Sequence, residues 1–113
     1  MSETNVIDTN VITSLKEIMG DTFDLLLSTF IGDTGKLVHS LTDLQQQNDI
    51  EVFTRNAHSI KSSSANVGAL HLSAIAAELE ELGKTGDITN SADQISKLIS
   101  EFDEACSELN SLN

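Results

Sequence analysis

Ala57-His58-Ser59-Ile60-Lys61-Ser62-Ser63-Ser64-Ala65-Asn66-Val67-Gly68-Ala69 decides how the rest of the chain is read. At helical spacing it divides into two faces. Phe53, Ala57, Ile60, Ser64 and Val67 recur every three or four residues and form a seam for burial. Glu51, Thr54, Arg55, His58, Lys61, Ser62 and Ala65 fall on the other side. His58 is therefore predicted to face solvent, with Lys61 one turn on and small side chains beside it. An imidazole held in this way is open to a visiting protein.

Working outward, the flanking segments supply the frame for that helix. Asp49 is placed to cap it, so it is expected from about Ile50 to Val67, with Gly68 at the position that favours positive φ. Upstream, residues 1–7 are polar and expected to fray. Asp8 or Thr9 caps a short first helix carrying Val11, Leu15, Ile18 and Met19 and stopping at Gly20. Asp21 is expected to cap a long second helix, in which Phe23, Leu26, Leu27, Phe30, Leu37, Leu41 and Leu44 keep one seam to about Gln46. Gly32 and Gly35 interrupt that seam and predict a bend or a close contact, because glycine costs a helix about 1 kcal/mol relative to alanine. Gln45 to Asn48 is expected to be a polar connection.

Downstream, Leu72, Ile75, Leu79 and Leu82 line one face of a fourth helix that ends at Lys84-Thr85-Gly86-Asp87. A last helix starts near Thr89 to Ser91 and carries Ala92, Ile95, Ile99, Phe102, Cys106 and Leu109. No segment has the period of a strand. The expected fold is all-α: an antiparallel four-helix bundle with an additional short N-terminal helix covering one end. The 113 residues are expected to form a single domain, 1–113.

Composition narrows the partners. Eighteen acidic residues against six basic ones give a formal charge of −12, which repels nucleic acid and anionic lipid. No apolar run is long enough to span a bilayer, and Met1-Ser2-Glu3-Thr4-Asn5, with no basic residue and no apolar run behind it, does not read as a signal peptide, so a cytoplasmic protein without membrane contact is expected. The single cysteine, Cys106, falls on an apolar seam and is expected to be a buried, inert thiol.

The chain has no glycine-rich phosphate loop, so nucleotide-dependent kinase activity is not expected. Ser62, Ser63 and Ser64 have no histidine and carboxylate arranged around them for nucleophilic catalysis. His39, His58 and His71 show no ligand spacing, so no metal site is expected. His39 and His71 read as surface side chains. His58 differs: neutral imidazole is a competent nucleophile near neutral pH, and the Lys61 ammonium is close enough to attract a phosphoryl oxygen.

The quoted stretch resembles the signature of histidine-containing phosphotransfer (HPt) domains, Ala-His-x-Leu-Lys-Gly-Ser-(Ser/Ala)-x-x-x-Gly-(Ala/Leu). The resemblance extends over nearly the whole chain, with Phe30 matching a phenylalanine of the long helix, Leu79-Glu80 a Leu-Glu pair, and Gly86-Asp87 the turn before the last helix. It implies a phosphoryl carrier in a multistep phosphorelay, working between aspartyl phosphates of receiver domains. His58 is then the phosphoacceptor and Lys61 steadies the phosphoryl oxygens. The implied partners are response-regulator receiver domains and the receiver domain of a hybrid sensor kinase. The carrier itself is expected to be a monomer with no cofactor, the Mg2+ coming from the receiver. The implied docking surface comprises Ser62, Ala65 and Arg55 with Ile12, Leu15, Leu26 and Phe30, and Gly68 keeps a structural role. One residue departs from the pattern: Ser62 stands where the family has glycine. The competing reading is a non-phosphorylated module on the same fold that sequesters or regulates a receiver or sensor partner.

Overall fold

The computed structural model describes residues 7–112, which are all-α, with no strand among them. Six helices follow in order: α1 (Thr9–Met19), α2 (Phe23–Thr29), α3 (Gly35–Gln47), α4 (Ile50–Asn66), α5 (Leu70–Thr85) and α6 (Ala92–Leu112). No helix among the described residues is long and apolar enough to cross a membrane. Helices α3, α4, α5 and α6 pack in a ring in which each touches two neighbours, and α4 against α5 is the most extensive contact.

The caps explain where most helices begin and end. The Asp8 carboxylate accepts from Asn10 N at 3.0 Å and starts α1. The Asp49 carboxylate accepts from Val52 N at 3.3 Å and starts α4. Gly68 closes α4 at φ 77°, and its carbonyl accepts from Asp8 N at 2.8 Å, which ties the root of α1 to the α4–α5 turn. A Cβ at Gly68 would also sit 3.0 Å from the Asp8 carbonyl oxygen and from Val11, so only glycine suits this corner.

The long second helix is present with a feature the periodicity did not show. Between α2 and α3 the chain keeps right-handed helical dihedrals but takes one wide π turn, Phe30–Thr34. A π turn carries an additional residue, so the face turned to the core shifts by one position. Phe23, Leu27, Phe30, Thr34, Val38 and Leu41 are buried, whereas Leu37, expected in the seam, is only half-buried. Gly35 provides the close contact, because a Cβ there would lie 3.3 Å from the Phe102 ring of α6; Gly32 faces open space.

Four local expectations are corrected. Asp21 does not cap α2: the chain enters it through a 3-10 turn, Gly20–Thr22, without a side-chain cap. Gln45 to Gln47 stay helical, the connection being Asn48 and Asp49 with Asn48 at φ 57°. The Gln45 amide donates to the Thr89 carbonyl at 2.9 Å and so secures the α5–α6 connection. Ile18, read as part of the first apolar seam, is 80% exposed, and Ile12 is buried in its place. Of the frayed end expected at residues 1–7, residues 1–6 lie outside the described residues, and Ile7 is buried against the core.

Helix α4 matches its predicted seam. Phe53, Ala57, Ile60, Ser64 and Val67 are at most 1% exposed. Full burial of a large apolar side chain is worth about 1.5–3 kcal/mol against the entropy of fixing it. Three such anchors hold α4 in one rotational setting, and its opposite face is fixed with them.

Candidate functional site

His58 lies mid-way along α4 with its side chain 58% exposed, on the face opposite that seam. Its Nδ1 is 2.8 Å from Oε2 of Glu80 on α5. Lys61, one turn on, places Nζ 2.7 Å from the other oxygen, Oε1. Lys84, four residues after Glu80, stands 3.8 Å from Oε2 and 3.4 Å from Glu81. Glu80 itself is almost fully buried.

A buried carboxylate is tolerable only when paired. The Lys61 ammonium beside it holds the Glu80 carboxyl below the ordinary glutamate range; burial works against this, and the contact with His58 adds to it. An ionised Glu80 can only accept, so the proton shared with His58 belongs to Nδ1. Nε2 then carries the free lone pair, on the side of the ring away from Glu80.

What brings Glu80 into reach is the approach of α5 to α4. Gly83 lies directly against Thr54, whose hydroxyl donates to the Ile50 carbonyl at 2.7 Å. A Cβ at Gly83 would collide with the Thr54 side chain and come 3.3 Å from its Cα. At the other end of the helix pair, Ser73 Oγ donates to the Lys61 carbonyl at 2.9 Å. These two contacts bracket the His58–Glu80 pair. A shallow groove of about 730 Å³ runs beside it, lined by Ile50, Glu51, Thr54, Arg55, His58, Glu80 and Gly83.

The structure brings together only part of the predicted site. His58 and Lys61 meet on Glu80, and Arg55 lines the groove on an exposed side chain. Ser62 and Ala65 are exposed on α4, and Leu15 and Leu26 are half-buried on α1 and α2. Ile12 and Phe30 are not surface residues: at 3% and 4% exposure they belong to the core, Phe30 packing on Phe102 with ring centroids 6.0 Å apart. Exposed apolar area lies instead at Ile18 and at Leu25, which is 66% exposed. His39 stands edge-on to Phe102 at 6.4 Å, and His71 is exposed in the first turn of α5, nine residues before Glu80. Among the described residues, no group of three or more His, Cys, Asp or Glu side chains is placed to hold a metal ion.

Sequence reasoning noted Glu80 only as half of the Leu79-Glu80 match and gave it no role at the site, and it missed Lys84 and Gly83 there. One signal was available: Glu80 sits four residues after Ala76 and three before Gly83, on a line of small buried side chains. Such a line marks where a neighbouring helix comes close.

The chain as a whole has relatives among known proteins. A family model described as the Hpt domain matches residues 25–111. The chain belongs to the Hpt domain family. No curated protein matches it in sequence. Among solved structures it is similar to histidine-containing phosphotransfer protein B (HptB) from Pseudomonas aeruginosa PAO1, at 30% identity and a TM-score of 0.91, over 96% of this chain and 95% of that one. Histidine phosphotransfer in a phosphorelay is accordingly this Hpt protein's function. Proteins of this family carry phosphoryl groups rather than generate them as kinases, and they work with receiver and kinase domains of two-component systems.

Proposed function

We propose that His58 is the phosphoacceptor and that Nε2 is the atom that reacts. The carrying observation is a ring 58% exposed whose Nδ1 is engaged by the buried Glu80 at 2.8 Å. The Nε2 lone pair attacks phosphorus of an aspartyl phosphate; the N–P bond forms, the P–O bond to the aspartate breaks, and the carboxylate leaves with its electron pair. Lys61 steadies the phosphoryl oxygens as charge spreads over them in a loose transition state. Mg2+ is the receiver's contribution, and this chain supplies no cofactor and no nucleotide-dependent kinase activity.

The frame for this reading is a single domain, 1–113, folded as an antiparallel four-helix bundle with α1 across one end. Two registers support it. Thr34 pairs with Ser63 and Ser40 with Asn56 between the long helix and α4, and Lys61 meets Ser73 while Thr54 meets Gly83 between α4 and α5. The partners are response-regulator receivers and the receiver of a hybrid sensor kinase, docking over Arg55, Ser62 and Ala65 with Leu15 and Leu26. The protein works as a cytoplasmic monomer, and with a charge of −12 it binds neither nucleic acid nor membrane.

Incubation with phosphorylated receivers, followed by intact-mass and peptide mapping at neutral or alkaline pH, tests this. The expected result is an acid-labile phosphate on His58 that His58→Gln lacks. Receivers that bind without transferring would overturn the assignment and leave a docking module.

A further inference from the structure

Glu80 serves more groups than the orientation of one ring requires. His58, Lys61 and Lys84 all converge on this carboxylate, at 2.8, 2.7 and 3.8 Å. The remaining charged groups around the ring are Glu51 and Arg55 on α4, in the groove, and Glu81 on α5, which is paired with Lys84. Phosphorylation at Nε2 changes this balance. It adds a phosphoryl dianion next to Lys61 and, if Nδ1 keeps its proton, a positive charge on the ring. Lys61 lies on the same helix as His58, one turn away, and the dianion competes with Glu80 for its ammonium. A buried carboxylate that lost its nearest cation would be driven toward protonation. Lys84 is already in place on Glu80's own helix, half in solvent, as the second cation.

We infer that Glu80, with Lys84 behind it, keeps Nδ1 of His58 protonated while Nε2 carries the phosphoryl group, so that the carrier is held in its readily discharged form. This rests on reading His58 as the acceptor. The chemistry balances without a proton step. On loading, the Nδ1–H tautomer gains an N–P bond and becomes a phosphoimidazolium facing the Glu80 carboxylate. On unloading, the N–P electron pair returns to Nε2, and neutral imidazole leaves with its proton still on Nδ1. A ring that had lost that proton would have to leave as an imidazolate anion, a far poorer leaving group. Glu80 and Lys84 are positioning residues here: they act on the ring and on each other, and neither touches the reacting phosphorus.

The full chain is loaded with a phosphorylated receiver, separated from it so that the receiver's own titration leaves the readout, and followed by phosphorus NMR as the phosphohistidine hydrolyses, with EDTA present to block Mg2+-dependent back-transfer to any residual receiver. For the wild type the loss rate is expected to stay level from about pH 6 to about pH 8. Glu80→Gln retains an acceptor for Nδ1–H but not the charge. Its rate is expected to fall steadily as pH rises across the same range, by up to about tenfold per pH unit. Lys84→Met, an exposed change that leaves the core intact, is expected to slow loss roughly threefold at about pH 8; it keeps the question open to test if Glu80→Gln folds poorly. Superimposable wild-type and Glu80→Gln profiles on labelled protein overturn this inference alone. Wild-type protein that takes no phosphate on His58 overturns the acceptor assignment, and this inference with it.

Discussion

The contact between α4 and α5 and the corner between α1 and α2 are built on opposite terms. In the first, a glycine, a threonine and a buried carboxylate with its cations bring two helices to their closest approach, and His58 is fixed by what surrounds Glu80. In the second, Ile18 and Leu25 stand in solvent beside the half-buried Leu15 and Leu26, with little covering them. On the reading proposed above, the difference separates two tasks of a carrier. Chemistry needs one nitrogen held still; recognition needs apolar area that remains uncovered until a partner arrives.

Breaking the first region should have the largest effect. Gly83→Ala adds a carbon where the Thr54 side chain already lies, with the Thr54 backbone just behind it. A rotamer change cannot clear that, so α5 has to move outward. Overpacking of this kind costs about 1–3 kcal/mol, more than alanine's helical advantage over glycine returns. Urea unfolding should show the loss. The same shift draws Glu80 away from His58, so labelling of the folded fraction should slow as well. Thr54→Ala in the same background removes the hydroxyl, the nearest colliding atom, but keeps the Cβ at 2.9 Å, and should restore part of both.

Altering the second region should do the reverse. Ile18→Ser with Leu25→Ser removes exposed apolar area without touching the core, and stability should stay within about 0.5 kcal/mol of wild type. If the corner receives a receiver domain, the concentration of phosphorylated receiver needed for half-maximal transfer should rise about tenfold, roughly 1.4 kcal/mol of binding. The rate at saturation should hold. A lower saturating rate with unchanged half-saturation would place this corner outside the docking surface.

The two regions were not equally legible in the sequence. The seam of α4 could be read because its period is regular and both ends are marked, by the Asp49 cap and by Gly68. Placing His58 opposite that seam needed nothing else. The Leu79-Glu80 match set Glu80 apart, but its role beside His58 was hidden for two reasons. Glu78, Glu80 and Glu81 are chemically equivalent on paper, and choosing among them requires the register of α5 against α4, set by the Gly83–Thr54 approach. Two of the apolar candidates for the docking surface, Ile12 and Phe30, were misplaced for a related reason. Leucine, isoleucine and phenylalanine look alike whether they fill a core or wait for a partner, and the π turn at Phe30–Thr34 moves the boundary between the two. Phe30 and Ile12 fell to the core, whereas Leu25 and Ile18 did not.

A smaller effect follows from Glu80's ionisation. Its carboxyl is held below the ordinary glutamate range in the folded state, chiefly by Lys61. A depressed value means that folding favours the ionised form. The stabilisation is therefore complete above the unfolded glutamate range and is lost as pH falls through the depressed value. Thermal melts across that acid window should fall less steeply for Glu80→Gln than for wild type. Parallel curves would mean that the Lys61 pair contributes nothing net.

The smallest expected effects lie in two neighbouring serines on the inner side of α4. Ser63 shares a hydrogen bond with the buried Thr34 hydroxyl at 3.0 Å, which ties the π turn to α4. Ser64 is fully buried, and its hydroxyl has no partner. Ser63→Ala leaves the Thr34 hydroxyl without that bond inside the protein and should cost about 1 kcal/mol. Ser64→Ala removes a desolvated hydroxyl that gains nothing and substitutes a better helix former, so it should stabilise by roughly 0.5 kcal/mol. Adjacent positions with the same substitution should therefore move urea midpoints in opposite directions. The sign, rather than the size, is the test. A loss at Ser64 would mean that its hydroxyl is bonded in solution, by a water or by the Ile60 carbonyl one turn back, and that this face of α4 is held by one more polar contact than its geometry indicates.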